Sequence, residues 1–155
     1  MEYNGILGIH CSLASFVSVL VNTKAVYQLG LPIKEFFIWC DDLEYTLRIA
    51  KSYPCFYAPN SIVCHKTATN YSPSIDKAPA HMAWRFYYSI RNSCYIKRKQ
   101  VNKIVFFFSV LNKYRVCMVR LNRRPSKEGR EEFIRAIKQG CWDGLSFNPD
   151  IEYLS

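Results

Sequence analysis

The chain lacks acidic residues throughout residues 85–127, a stretch that is otherwise dense in lysine and arginine. Fifteen of its 21 basic residues lie from Arg85 onward, against six of its 12 acidic residues. The formal net charge of +9 is therefore concentrated in the C-terminal part. Such a one-sided excess predicts an anionic partner or an anionic surface.

Three other absences narrow the class of protein. The longest nearly unbroken apolar run, residues 104–111, is far shorter than the ~20 residues that a membrane-spanning helix needs. No basic segment of the kind that begins a signal peptide opens the chain. No C-x-x-C pair occurs among the seven cysteines, which disfavours a cysteine zinc site and favours reduced, mostly buried thiols. We expect a cytoplasmic protein.

The chain has the length and apolar content of a folded domain, since half of its 155 residues are hydrophobic. In the first part, apolar and β-branched runs alternate with one short and one longer helical pattern. We expect strands at residues 15–22, 55–58 and 62–65, helices at 23–28 and 41–51, and a short aromatic strand or loop at 35–39.

The second part reads as helical and basic. A polar, proline-containing segment at residues 67–79 predicts an irregular loop. Apolar spacing then predicts a helix over residues 80–98, another over 102–121, and a third that begins at a Ser126 cap and is ended by Gly140. The expected fold class is therefore α/β in residues 1–78, followed by a helical basic segment in residues 79–155.

Three carboxylates follow directly on the aromatic run at residues 36–39: Asp41, Asp42 and Glu44. Negative charge beside large apolar side chains is costly unless a cation, a hydroxyl or a helix terminus uses it. Open α/β sheets bind ligands at the carboxyl ends of their strands, where this cluster is expected. Asp41 and Glu44 also match a capping box, which would explain one aspartate but leave Asp42 without a role.

His65 ends the strand-like sequence IVCHK at residues 62–66. A single histidine in this position is compatible with a hydrogen-bonded structural residue. The functional alternative is a neutral imidazole that binds a divalent cation together with ligands from elsewhere.

These segments share an order with a known family. An apolar run is followed by Gly30-Leu31-Pro32, then by EFFIWCDDLEY at residues 35–45, and then by IVCHK. This order, over residues 15–66, resembles the second half of the catalytic domain of family 2 glycosyltransferases, with bacterial rhamnosyltransferases and galactofuranosyltransferases nearest. The resemblance continues loosely through RFYYSIRNSCYIKRK at residues 85–99 and IRAIKQGCWDGL at residues 134–145.

The resemblance implies a partial sheet domain of the GT-A type, which is Rossmann-like. It implies inverting transfer of a hexosyl or deoxyhexosyl unit from a nucleotide-diphosphate sugar to a glycan or polyprenyl-linked acceptor in surface-polysaccharide synthesis. By position, Asp42 would be the base, Asp41 and Glu44 would shape the acceptor site, and Trp39 would form its aromatic wall. His65 would help to hold a divalent metal, Mn²⁺ or Mg²⁺.

One departure from the family pattern is large, because the sequence contains no Asp-x-Asp motif. The chain is thus expected to be truncated and to correspond to the acceptor side of the enzyme, with the metal bound only where a donor site is completed. The alternative is a non-catalytic remnant, or a module that binds membranes or glycans.

The basic segment at residues 85–124 mixes eleven lysines and arginines with aromatic residues. Single-stranded nucleic acid is the least favoured partner, and a solvated helical face is a second reading. We favour a helical appendage on the anionic inner surface of the cell membrane. Its inserted side chains would be Phe106, Phe107, Phe108, Val110 and Met118.

Overall fold

The computed structural model describes residues 2–3, 6–66 and 74–154, with only the backbone described in the first two strands. The chain divides into two compact units. Unit 1 holds the described residues of 2–34, 41–66 and 150–154, and unit 2 holds 35–40 and 74–149. The division thus differs from the predicted boundary after residue 78, since residues 35–40 belong with the helices and the C-terminal residues with unit 1.

Unit 1 contains two helices and four very short strands: β1 Glu2–Tyr3, β2 Ile6–Leu7, β3 Ile9–His10, α1 Thr23–Leu29, α2 Asp41–Ala50 and β4 Phe56–Tyr57. Strand β1 pairs with β2, and β3 pairs with β4, both antiparallel. The described residues contain no parallel pair, so the predicted partial Rossmann-like sheet is not confirmed. The chain is mixed α and β, and mostly helical.

Helix α1 begins at the predicted residue and ends one residue beyond the predicted 28. The side chain of Asn22 caps it by accepting a hydrogen bond of 2.9 Å from the Lys24 N–H. Gly30 ends the helix with φ of 80°, a left-handed conformation that glycine adopts without steric cost. A Cβ there would also lie 2.7 Å from the main-chain oxygen of Glu152.

Two of the predicted strands are absent. Residues 15–22 form a turn followed by residues without regular secondary structure, and their side chains are largely exposed, with Leu20 fully so. Residues 62–65 have no regular secondary structure and are exposed. Both runs have the apolar, β-branched composition of strands, but a strand forms only where a partner strand accepts its hydrogen bonds. Of the predicted loop at 67–79, residues 67–73 lie outside the described residues.

Unit 2 is built from three long helices. Helix α3 spans Ala83–Arg98 behind a 3₁₀ turn at Ala80–Met82, α4 spans Lys103–Asn122, and α5 spans Arg130–Gly144. Asn102 caps α4 by accepting from the Val105 N–H at 2.9 Å, which confirms the predicted start. Helix α5 begins four residues after the predicted Ser126 cap, and Gly140 lies inside it rather than at its end.

The core of unit 2 is formed by the facing sides of these helices. Its largest buried side chains include Phe86 and Ile90 from α3, Leu121 from α4, and Phe133 and Ile137 from α5. Two of the residues predicted to enter a membrane, Phe106 and Val110, are buried in this core, and Met118 packs against it. Their assignment to a membrane surface is therefore wrong, because the helical register turns them inward.

Glycines set the distance between α3 and α5. A Cβ on Gly140 would lie 2.8 Å from the main-chain oxygen of Tyr87, and one on Gly144 would lie 2.9 Å from the Cys94 sulfur. Real Cβ atoms do not approach other atoms so closely, so the two helices pack in contact only because these positions lack side chains. No helix in the described ranges has the length and apolar content required to cross a bilayer.

Candidate functional site

The chain makes a strained turn immediately before the carboxylate cluster. After a 3₁₀ turn at Lys34–Phe36, three non-glycine residues adopt positive φ: Phe37 at 61°, Trp39 at 62° and Cys40 at 67°. Such angles are uncommon for residues with a Cβ and unfavourable for bulky ones. Conformations of this kind persist only where their surroundings hold them, and they concentrate at functional sites.

The side chain of Asn92 on α3 holds this turn. Asn92 is fully buried, and its amide nitrogen lies 2.9 Å from the carbonyl oxygens of Phe36 and Trp39 and 3.3 Å from that of Ile38. The neighbouring Arg91 donates to the carbonyl oxygen of Glu35. In a regular strand, these main-chain carbonyl groups would accept hydrogen bonds from a neighbouring strand. Here they accept them from the side chains of Asn92 and Arg91 on α3.

Arg91 is a nearly buried cation whose environment is aromatic. Its guanidinium carbon lies 3.8 Å from the ring centre of Phe147 and 5.0 Å from that of Tyr88. Its Nε and Nη2 both donate to the Asn92 side-chain oxygen. Cation–π contact and hydrogen bonds replace the water that the charge loses on burial.

Asp41 and Asp42 are the first two residues of α2, which follows the strained turn in the chain. Both are half-buried, and a side-chain oxygen of Asp42 accepts from the Leu43 N–H at 2.8 Å. Because the helix starts at Asp41, this residue does not occupy the cap position that a capping box requires. In the described part of the chain, neither aspartate forms an ion pair.

Glu44 has a partner of its own. Both of its carboxylate oxygens accept hydrogen bonds from Arg48, at 3.0 Å and 2.9 Å, in a nearly buried pair one helical turn apart. Arg48 also donates to the carbonyl oxygens of Leu29 and, at 3.0 Å, Leu31. The pair therefore satisfies carbonyl groups at the C-terminal end of α1. Both oxygens of Glu44 are thus bound by Arg48, and only 10% of its side chain is exposed.

Trp39 lines a groove of about 640 Å³ within unit 2. Its ring meets Phe86 edge to face, with centres 5.2 Å apart. The groove also exposes hydroxyl and amide groups and two cations, namely Ser74, Ser89, Ser109, Asn112, Lys113 and Arg120. The pKa of the Asp76 carboxyl is lowered mainly by a hydrogen bond from Ser74 and by one from the main chain, with small contributions from the charges of Lys77 and Arg120. An aromatic face, hydroxyl groups and positive charge suit a sugar that carries phosphate or carboxylate.

A second cavity, of about 340 Å³, lies in unit 1 and is lined largely by residues 11–14, 19–22 and 53–56. None of the predicted site residues lines it. Burial raises the pKa of the Cys55 thiol at its edge, with a smaller contribution from Cys11. This thiol is therefore protonated and a poor nucleophile at neutral pH.

His65 is exposed, and the structure brings no set of metal ligands to it. Across residues 6–66 and 74–154, no group of three or more histidine, cysteine, aspartate or glutamate side chains is placed to hold a metal ion. The described residues thus do not provide the ligands that a divalent cation needs.

Sequence reasoning missed the residues that hold the turn and line the groove: Asn92, Lys113 and Arg120. One signal was available for Asn92, since asparagine is a poor helix former and stands in the middle of a long aromatic helix. Lys113 and Arg120 carried no distinguishing signal, because they are two of several basic residues in the second half of α4 and in the segment that follows it.

Comparison with known proteins found no match: no protein-family model, no curated protein and no solved structure matches the chain.

Proposed function

We propose that this chain forms the acceptor side of an inverting glycosyltransferase of partial GT-A type. The single observation that carries the proposal is the strained turn at Phe37, Trp39 and Cys40, which leads directly into Asp41 and Asp42. A strained turn that leads into two half-buried aspartates, for which the described residues provide no ion pair, is costly for a purely structural element.

Asp42 is the proposed base. It would take the proton from an acceptor hydroxyl, whose oxygen forms a bond to the anomeric carbon of the donor sugar. The bond from that carbon to the nucleotide diphosphate breaks with inversion, and the diphosphate leaves. Trp39 is the proposed aromatic contact for a sugar ring. Mn²⁺ or Mg²⁺ and the nucleotide-diphosphate sugar enter the proposal only together with donor-side residues.

A transfer assay tests this assignment. The chain would be combined with the donor-side half of a family 2 glycosyltransferase, and radiolabelled hexoses and deoxyhexoses would be supplied as nucleotide-diphosphate sugars, with Mn²⁺ or Mg²⁺ and with glycan or polyprenyl-linked acceptors. Asp42→Asn should abolish transfer, because an amide cannot accept the proton, while Asp41→Asn should retain part of it. Equal turnover by Asp42→Asn and the unaltered chain would refute the assigned base.

The second candidate is a non-catalytic module that binds a glycan. It is favoured by the groove beside Trp39, which lies wholly within unit 2 and needs neither aspartate. Isothermal titration separates the two. Glycan binding that is lost in Trp39→Ala, without binding of Mn²⁺ or nucleotide diphosphates and without transfer, would favour the module.

A further inference from the structure

The outward face of α4 is apolar where the helix begins. Ile104 is 72% exposed and Phe108 is 63% exposed, and Leu111 lies on the same side one turn further along. The rings of Phe107 and Phe108 contact each other with centres 6.0 Å apart. Large exposed apolar side chains are normal when scattered, but a contiguous set marks an interaction surface.

The C-terminal end of α5 extends this surface. Trp142, which is 75% exposed, and Leu145 line an open groove of about 580 Å³ together with Phe107, Leu111 and Tyr114. We call the set Ile104, Phe107, Phe108, Leu111, Trp142 and Leu145 the apolar end of unit 2.

Lysines surround the apolar end. Lys97 and Lys99 end α3, Lys103 begins α4, and all three are exposed. Arg98 donates to the carbonyl oxygen of Gly144 at 2.7 Å, which places the end of α3 beside the end of α5. Lys138 is exposed and lines the groove itself.

The acidic residues of α5 lie at the far end of that helix or against Tyr87. Asp143 of α5 accepts a hydrogen bond of 2.8 Å from the Tyr87 hydroxyl. Glu131 and Glu132 lie in the first turn of α5, at the opposite end of that helix from Trp142 and Leu145. Asp143 is half-buried against Tyr87 and the lysines are exposed, so the exposed charge beside the apolar end is mainly positive.

We propose that the apolar end binds the surface of an anionic lipid bilayer. Its aromatic and aliphatic side chains enter the boundary between headgroups and acyl chains, and the surrounding lysines contact lipid phosphates. A second copy of the chain fits less well, because a symmetric contact would bring the same lysines face to face. Nucleic acid fits less well because aliphatic side chains lie among the aromatic rings on which successive bases would stack. This binding does not depend on the proposed sugar transfer.

Co-sedimentation of the full chain with vesicles tests the proposal. Binding to phosphatidylcholine vesicles that contain phosphatidylglycerol should exceed binding to phosphatidylcholine alone and should weaken in high salt. Ile104→Asp should lower the partition coefficient roughly tenfold or more, since it removes an inserted side chain and adds repulsion. Lys103→Gln should lower it about fivefold.

The structure offers matched controls for both substitutions. Ile62, which is 90% exposed in unit 1, gives Ile62→Asp as the control for Ile104→Asp, and exposed Lys24 gives Lys24→Gln as the control for Lys103→Gln. Both controls should bind as the unaltered chain does. Phe108→Ala adds a variant without new charge, and unchanged circular dichroism verifies folding of each protein.

Three outcomes overturn the proposal. The first is equal binding to neutral and anionic vesicles in low salt, and the second is equal loss of binding in Ile62→Asp and Ile104→Asp. The third is a concentration-dependent dimer in lipid-free sedimentation that Ile104→Asp abolishes, which would assign the apolar end to self-association.

Discussion

The buried side-chain amide of Asn92 donates a hydrogen bond of 2.9 Å to the main-chain carbonyl of Trp39, a residue with φ of 62°. This bond joins the middle of α3 to the turn that precedes the aspartates. Trp39 keeps its unfavourable angle because Asn92 binds the carbonyl groups before and after the bend. The geometry of the turn is thus determined by a residue more than fifty positions away in the chain.

Asn92→Ala should destabilise unit 2 by roughly 3 kcal/mol. The substitution leaves buried carbonyl oxygens of Phe36 and Trp39 without donors and opens a small cavity. Urea unfolding followed by tryptophan fluorescence measures the effect, since all three tryptophans lie in unit 2. Exposed Asn112 supplies the control Asn112→Ala, which should change stability by less than about 0.5 kcal/mol. A change that small in Asn92→Ala itself would contradict the proposed role of the amide.

Arg48→Met should destabilise the contact between α1 and α2 by about 3 kcal/mol. Removal of the guanidinium leaves the nearly buried Glu44 carboxylate without its partner and frees the carbonyl oxygens of Leu29 and Leu31. Hydrogen exchange of the amides in both helices measures the loss as faster local opening.

The double variant Glu44→Gln, Arg48→Met refines this prediction. It should be more stable than Arg48→Met alone, because no uncompensated charge remains. Lys51→Met, at an exposed cation just beyond α2, should leave exchange unchanged. Additive effects of the two single substitutions would show that Glu44 and Arg48 do not act as a pair.

The helices could be predicted because their signals are local. Asn102 caps α4 and Gly30 ends α1 through contacts within a few residues, so sequence patterns identify them. Helix α2 follows its apolar spacing and extends over Asp41–Ala50, close to the predicted 41–51.

The strands and the turn could not be predicted because their formation depends on distant partners. Residues 15–22 have strand composition but no neighbouring strand in the described part of the chain. The turn at residues 37–40 depends on Asn92 and Arg91, which no local pattern connects to it. The sequence around Gly140 predicts a helix end. In the structure Gly140 lies inside α5, where the lack of a side chain allows α3 and α5 to pack closely.

Gly140→Ala should destabilise unit 2 by about 1–3 kcal/mol, even though alanine is the better helix former. The new Cβ would lie 2.8 Å from the main-chain oxygen of Tyr87 and 3.1 Å from the Ile90 Cβ, so the helices must move apart. Urea unfolding provides the measurement, with Gln139→Ala on the exposed side of α5 as the control. A stabilised Gly140→Ala variant would mean that helix propensity outweighs the close contact.

Three buried thiols make the stability of unit 2 depend on pH in the alkaline range. Burial raises the pKa values of Cys94, Cys117 and Cys141, that of Cys141 to about 12 from an ordinary 9.0, with a smaller contribution to Cys141 from the other two thiols. The charge of nearby Lys113 lowers the pKa of all three thiols, but by less than burial raises it. In the unfolded chain each thiol loses its proton at lower pH, so their contribution to stability is complete below pH 9 and is lost as pH rises toward 12.

Cys141→Ala should therefore flatten the decline of stability over this pH range. Below pH 9.0 the variant should be less stable than the unaltered chain, because it leaves a cavity beside Gly144 and Cys94. The difference should shrink with rising pH, by at most about 1.4 kcal/mol per pH unit for one thiol. Cys64→Ala, at an exposed cysteine, should give a curve parallel to that of the unaltered chain. Parallel curves for Cys141→Ala as well would show that its thiol ionises equally readily in the folded and unfolded states.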